Sequence, residues 1–160
     1  MPVVRPGVIQ EKIVVNGDLE NVFGVMSDFS NAHLWDPGVL SSVPEEGFDK
    51  LMISEGTSYN LVVEFNGTQM NMKYQITKYK QPCEVVLRGE GDTVRAVDTI
   101  KFKKLPNNQV EIDYEAVISL KWFRRPFIYF INNSLNKLGK SAKRGIENYF
   151  ENGDKNKTYL

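Results

Sequence analysis

The sequence predicts an α+β fold in which a curved, seven-stranded antiparallel sheet wraps around one long C-terminal helix. Strict alternation of apolar and polar residues recurs in successive segments, which is typical of strands with a single buried face. One long amphipathic helical pattern ends the chain and has no second long helix beside it. A single helix cannot fill the concave face of seven curved strands, so we expect space for a ligand between sheet and helix.

The strand predictions begin with residues 8–15 and continue with a weaker strand over 39–44. Alternation over 59–65 and 70–76 flanks Asn66-Gly67, two residues that tolerate the positive φ angles of a type I′ hairpin turn. Three further strands are predicted over 83–89, 94–105 and 110–122, separated by Gly-, Asp-, Pro- and Asn-containing turns. The last six strands therefore form a meander.

Helices are predicted in the remaining segments. Asp18 is placed to cap a short helix, and a second short helix or turn over 30–34 ends at the Asp36-Pro37-Gly38 turn signal. The long helix is predicted to begin at Pro126 and to end near Asn152-Gly153. Its internal glycines, at 139 and 145, predict close approach to the sheet or to a neighbouring helix. Residues 1–153 are thus predicted to be one domain, and 154–160 a polar tail.

The composition indicates the class of protein and its compartment. The chain has 160 residues and ordinary apolar content, which suits one globular domain. It carries one cysteine, Cys83, no segment resembling a secretion signal and no apolar run long enough to cross a bilayer. We therefore expect a cytoplasmic location.

Charge is unevenly distributed along a chain whose formal net charge is zero. Residues 116–146 contain seven Lys or Arg and no Asp or Glu, so the rest of the chain has a net charge of −7. Zero net charge disfavours nucleic-acid binding. The segment Trp122-Phe123-Arg124-Arg125 combines aromatic and basic residues, which suits the surface of an anionic membrane. A membrane- or partner-docking module is therefore one alternative function.

Catalytic and metal-binding patterns are sparse. His33 and Cys83 are the single His and Cys and lie far apart in sequence, so we expect neither a metal site nor a cofactor, nor a nucleophilic triad. Asp98 and Glu11 both fall on faces that are otherwise apolar and point inward if those faces are buried. There a carboxyl group acts as a general acid or base or orients a ligand. The alternatives are a bulge that turns the residue outward, or a hydrogen bond to a tyrosine or backbone amide.

The cavity is predicted to be lined by residues of the sheet and the long helix: Glu11, Tyr59, Leu61, Met72, Tyr74, Asp98, Tyr114, Leu135 and Leu138. The three tyrosines are core aromatics by default, and buried hydroxyls need polar partners, which a cavity provides. Alternate connections of a meander share one end of the sheet. A gate is therefore predicted at that end, formed by Asn66, Gly67, Gly89, Gly91, Trp122 and Phe123.

Several strings resemble the polyketide cyclase/dehydrase and lipid-transport family of the SRPBCC superfamily. They are 27–31 (SDFSN), 35–39 (WDPGV), 96–102 (AVDTIKF), 113–116 (DYEA) and the helix pattern Leu138-Gly139, Ala142, Gly145-Ile146. The resemblance runs from about residue 8 to residue 150. It implies the helix-grip fold of START domains and birch-pollen allergens, with a hydrophobic cavity. It also implies binding or transport of a lipid-like or polycyclic molecule, or a cyclase/dehydratase activity that uses the cavity carboxylate and tyrosines.

Overall fold

The computed structural model describes residues 7–121 and 128–157, with side chains described over 7–121 and 134–152. Two short helices follow the first strand, and one long helix follows the last. The strands are β1 (Gly7–Asn16), β2 (Val39–Pro44), β3 (Ser58–Phe65), β4 (Thr68–Lys80), β5 (Glu84–Glu90), β6 (Val94–Leu105) and β7 (Gln109–Leu120). The helices are α1 (Leu19–Ser27), α2 (Ala32–Trp35) and α3 (Ile128–Lys157), with 3₁₀ turns at Phe29–Asn31 and Lys50–Met52.

All seven strands belong to one antiparallel sheet in the order β1-β7-β6-β5-β4-β3-β2. The predicted meander is confirmed, with β1 added beside β7. Register shifts occur between Val39 and Ser41 in β2 and between Ile76 and Lys78 in β4. Such irregularities bend strands and increase their twist, which favours the curl of the sheet. The last strand ends at Leu120, two residues before the predicted limit.

The predicted alternation sets which residues face the concave side. In β6, Ala96, Asp98, Ile100 and Phe102 are buried, whereas Arg95 and Lys101 are exposed. Asp98 therefore faces inward with its apolar neighbours, and no bulge turns it outward. The β3–β4 turn has the predicted geometry, with φ of 52° at Asn66 and 76° at Gly67.

Helix α1 closes one end of the concave face. Its N-cap Asp18 accepts a hydrogen bond from the Asn21 backbone N–H at 3.2 Å, as the sequence predicts. The fully buried Phe23 ring packs edge-on against Phe102 and Tyr79, with ring centroids 5.2 and 5.3 Å apart. This end of the sheet is consequently filled by aromatic side chains.

Helix α3 lies against β1 and α2 and buries Leu135, Ile146 and Phe150. Its glycines mark close approaches, as predicted. A Cβ at Gly145 would lie 2.0 Å from the Trp35 carbonyl oxygen, and one at Gly139 would lie 2.7 Å from Ile9 Cγ2. The approach at Gly145 brings the end of α2 directly onto α3.

The predicted end of the long helix is wrong. Helix α3 continues through Gly153 to Lys157, so residues 154–157 of the predicted polar tail are helical. A glycine inside a helix costs about 1 kcal/mol but does not forbid the conformation. The predicted start, Pro126, lies outside the described residues. Within the described ranges, no helix has both the length and the apolar composition needed to span a membrane.

Candidate functional site

A cavity of about 700 Å³ lies between the concave face of the sheet, α2 and α3. This volume is within the range of roughly 300–1,000 Å³ that is typical of small-molecule sites. Small residues on both sides create the space: Ala96 and Ala116 on the sheet, Gly139 and Ala142 on the helix. Larger apolar side chains complete the walls, including Leu61, Met72, Leu135 and Leu138.

Most residues predicted to line the cavity do so in the structure. They are Glu11, Leu61, Met72, Tyr74, Asp98, Tyr114, Leu135 and Leu138. Glu11 is half-buried and lies across from α3, with its Oε1 atom 3.4 Å from the position that a Cβ of Gly139 would take.

The prediction that Tyr59 lines the cavity is wrong. Tyr59 is fully buried and its ring packs against Phe29 and Phe48, with centroids 6.4 and 5.8 Å apart. Burial and the nearby Asp28 carboxylate raise the pKa of Tyr59. Its inward direction followed from the alternation of β3. The strand position does not reveal that aromatic rings from the connecting loops cover it.

Asp98 and Tyr114 form the polar centre of the cavity. They lie on the adjacent strands β6 and β7, and the Tyr114 hydroxyl donates a hydrogen bond to Asp98 Oδ2. Burial raises the pKa of Asp98 to about 7, although the Tyr114 hydrogen bond acts in the opposite direction. The other carboxyl oxygen, Oδ1, is buried and has no hydrogen-bond partner within residues 7–121 and 134–152. A protonated Asp98 can donate to a ligand, and an ionised one can accept.

Asp36 is a cavity residue that the sequence analysis did not identify. It follows α2 and accepts a hydrogen bond at 2.8 Å from the Gly38 backbone N–H. Burial raises the pKa of its carboxyl group to about 6, and the Asp36 charge in turn raises the pKa of Asp98. The sequence showed Asp36-Pro37-Gly38 only as a turn. The glycine at 145 predicted a close approach of α3 to another element. It was the sequence feature that could have indicated that this turn packs against the helix.

Aromatic side chains surround these two carboxyl groups. Trp35 is buried, lines the cavity and lies edge-on to Tyr114 with ring centroids 6.1 Å apart. Its indole Nε1–H has no hydrogen-bond partner in the part of the chain whose side chains are described. Burial, reinforced by the Asp98 and Asp36 charges, raises the pKa of Tyr74 well above its ordinary value. Tyr74 therefore stays protonated, and its hydroxyl remains able to donate.

The tips of two hairpins lie at one end of the cavity. Asn66 from the β3–β4 turn and Asp92 and Thr93 from the β5–β6 turn are lining residues, and Asn66 and Asp92 are exposed. The Lys121 backbone N–H, just after β7, donates to the Thr93 carbonyl oxygen at 2.9 Å. The ends of β3, β5 and β7 therefore meet at this opening, where the gate was predicted.

The predicted gate residues do not all lie at this opening. Gly67 is exposed at the hairpin tip but is not among the lining residues, and Gly91 follows β5 beside Met72. The assignment of Gly89 to the gate is wrong, because Gly89 lies within β5 under the Tyr74 ring, where a Cβ would come within 2.6 Å of the ring. Trp122 and Phe123 lie outside the described residues.

Metal-binding side chains do not cluster in the described part of the chain. Over residues 7–121 and 134–152, no three His, Cys, Asp or Glu side chains lie close enough together to hold a metal ion. His33 is exposed, with Nδ1 2.7 Å from Ser42 Oγ, and Cys83 is also exposed. Neither residue lines the cavity.

Comparisons with known proteins agree with this architecture. A family model described as polyketide cyclase / dehydrase and lipid transport matches residues 7–138. A START superfamily protein from Mycobacterium smegmatis superposes with a TM-score of 0.75 at 13% identity, covering 91% of this chain and 97% of that one. The Zhui aromatase/cyclase from Streptomyces sp. R1128 gives a TM-score of 0.71 at 10% identity, with 90% and 93% covered. At such identities the superpositions establish the fold alone. No curated protein matches the sequence.

Proposed function

The chain belongs to the polyketide cyclase/dehydrase and lipid transport family, and on that premise we propose that it binds or carries a hydrophobic small molecule between the sheet and α3. Family and fold support hydrophobic ligand binding or a cyclase-like function. The observation that carries the proposal is the cavity of about 700 Å³ with mostly apolar walls. Apolar surface left unfilled there gives a ligand a favourable free energy of transfer from water.

Two adjacent residues of β6 provide a test with a matched control. Ala96 is buried and lines the cavity, whereas Val97 lies on the opposite face and is 38% exposed. The Ala96→Phe variant adds a ring to the cavity, and Val97→Phe adds the same ring outside it. We expect the affinity for the neutral fluorophore N-phenyl-1-naphthylamine to fall by about tenfold or more in Ala96→Phe and to stay unchanged in Val97→Phe. Equal affinities in two folded variants would contradict the proposal.

A second candidate is a reaction of the cyclase or dehydratase type. The observation that favours it is the Asp98–Tyr114 pair, because a carboxyl group with a pKa of about 7 exchanges protons readily at neutral pH. Asp98→Asn keeps the size and one hydrogen bond but removes the proton exchange. On this alternative, turnover of a bound poly-β-ketone mimic falls by a factor on the order of 100 in that variant. Simple binding predicts no turnover in either protein.

A further inference from the structure

Acidic side chains outnumber basic ones among the described residues that line the cavity. Among the lining residues with described side chains, five are acidic and one is basic: Glu11, Asp36, Glu64, Asp92 and Asp98 against Lys143. Glu64 and Asp92 are exposed near the opening, and Lys143 on α3 is half-buried. The described walls of the apolar space therefore carry mainly groups that attract a cation.

The imbalance is sharpest in the buried part of the cavity. Asp98 is 5% exposed, and its Oδ1 atom has no hydrogen-bond partner among the described residues. Asp36 lines the same cavity and its charge raises the pKa of Asp98, and neither carboxyl group makes a salt bridge with a described side chain. Two neighbouring carboxyl groups without a counter-ion disfavour each other's ionisation, and a bound cation would relieve that cost.

The surrounding rings suit an organic cation better than a metal ion. Trp35, Tyr74 and Tyr114 all line the cavity around the two carboxyl groups, and aromatic faces attract ammonium groups. A metal ion would need more ligands than the carboxyl pair supplies, and the described residues hold no cluster of three. An alkyl or aryl amine matches both the apolar walls and the acidic centre.

We propose that the ligand is a hydrophobic amine whose ammonium group binds between Asp36 and Asp98 while its hydrocarbon part fills the space between the sheet and α3. This inference rests on the proposed binding function and names the chemical class of the ligand. Lys143 provides the opposite possibility, a carboxylate ligand. It stands against five acidic residues on the same walls, so a fatty acid would meet repulsion in the cavity.

Binding of an amine at this place depends on pH. The carboxyl groups of Asp36 and Asp98 have pKa values raised to about 6 and about 7, so both gain negative charge between pH 5.5 and pH 8. The other titratable groups facing them are Glu11 from β1, Tyr74 from β4, Tyr114 from β7 and Lys143 from α3, with Glu64 and Asp92 nearer the opening. The two tyrosines stay neutral in this range, because burial and the carboxylates raise their pKa. An alkylamine, with a pKa near that of lysine, about 10, stays protonated.

Three ligands of equal chain length test the inference by calorimetry: decylamine, decanol and decanoate. At pH 8 we expect decylamine to bind about tenfold more tightly than decanol, and decanoate to bind most weakly. Lowering the pH to 5.5 should weaken decylamine by about tenfold and leave decanol unchanged. The Asp36→Asn/Asp98→Asn variant should lose the preference for the amine but keep its affinity for decanol. Glu115→Gln, on the convex face of β7, removes one negative charge outside the cavity and should behave as wild type.

The outcomes separate the inference from the proposed function. Decanoate binding as tightly as decylamine, or an amine preference that survives in the double Asn variant, would overturn the amine assignment while hydrophobic binding stands. Binding of N-phenyl-1-naphthylamine without binding of decylamine would do the same. If neither the fluorophore nor any of the three ligands binds, the proposed function fails together with the inference.

Discussion

In β6, Asp98 lies between Ala96 and Ile100 on the concave face, where burial raises its pKa to about 7. The ordinary value, 3.8, describes the unfolded chain. Between these two values the folded protein keeps a proton that the unfolded chain has released. Stability therefore falls as the pH rises from about 4 to about 7 and is constant above that range with respect to this group. Asp36 adds a smaller effect of the same sign, because its pKa is raised to about 6.

The Asp98→Asn variant should be more stable than wild type at neutral pH. Asparagine has no carboxyl group to ionise, and its side-chain oxygen can still accept the Tyr114 hydrogen bond. The difference in the free energy of unfolding should be small near pH 4 and grow to the order of 4 kcal/mol by pH 8. Urea denaturation at several pH values measures it. The control is Glu115→Gln, which removes a carboxylate that does not line the cavity and shows how the free energy of unfolding changes with pH in that case. A difference that is independent of pH would contradict the raised pKa of Asp98.

At the scale of elements, the crossing of α2 and α3 depends on Gly145. A Cβ there would lie 2.0 Å from the Trp35 carbonyl oxygen and 2.9 Å from Pro37 Cδ, so the helix backbone and the end of α2 are in direct contact. This contact holds Trp35 and Asp36 against the cavity. Backbone atoms cannot move aside as the end of a long side chain can, so a methyl group at this site forces the two helices apart.

We expect Gly145→Ala to lower the free energy of unfolding by about 1–3 kcal/mol, despite the higher helix propensity of alanine. Gly24→Ala in α1 is the matched control, because Gly24 is exposed and its Cβ would meet nothing within 4 Å. The control should be unchanged or more stable by up to about 1 kcal/mol. Chemical denaturation followed by circular dichroism measures both. If Gly145→Ala stabilised the protein as much as Gly24→Ala, α2 and α3 would not be tightly packed at this crossing.

The sequence predicted the elements that local patterns encode. Alternation identified the β3–β4 hairpin and the two long strands β6 and β7, and it placed Asp98 and Tyr114 on the concave face. It did not identify Asp36 as a cavity residue, because that position depends on a contact between α2 and α3, which are distant in sequence. The neighbouring glycine and acidic residues predicted a turn at Gly89. In the structure Gly89 instead leaves room for the Tyr74 ring on the adjacent strand. The local pattern predicts which face of the sheet a side chain points to. Packing between elements determines which residues that side chain contacts.

At the scale of the whole molecule, the cavity results from the unequal filling of the concave face. The ring cluster of Phe23, Tyr79 and Phe102 fills the end covered by α1. Toward the hairpin tips, Ala96 and Ala116 on the sheet and Gly139 and Ala142 on α3 line the cavity, and the side chains described over 7–121 and 134–152 leave the space between them unfilled. A ligand in this space would add the apolar contacts that the small residues do not make. Ligand entry is then expected at the hairpin tips, the end where lining residues are exposed.

The sequence that follows β7 predicts contact with an anionic membrane in addition to ligand binding. The chain leaves β7 at Lys121, whose backbone is hydrogen-bonded to Thr93 beside the opening, and the next four residues are Trp122-Phe123-Arg124-Arg125. These four lie outside the described residues, and their predicted contact with a membrane follows from the sequence. Basic residues near an anionic bilayer contribute about 1 kcal/mol each, and the aromatic residues suit the interface.

We therefore expect the protein to co-sediment with phosphatidylserine-containing liposomes at low salt. Raising the ionic strength toward 1 M shortens the Debye length to about 3 Å, so binding should fall strongly. The Arg124→Glu/Arg125→Glu variant should bind weakly at either ionic strength. Lys103→Glu/Lys104→Glu makes the same change in net charge at exposed positions near the other end of β6 and should bind nearly as well as wild type. If both variants lose binding equally, total charge alone is responsible. If the arginine variant bound liposomes as well as wild type, residues 122–125 would not be the membrane contact. A ligand would then have to reach the opening from solution.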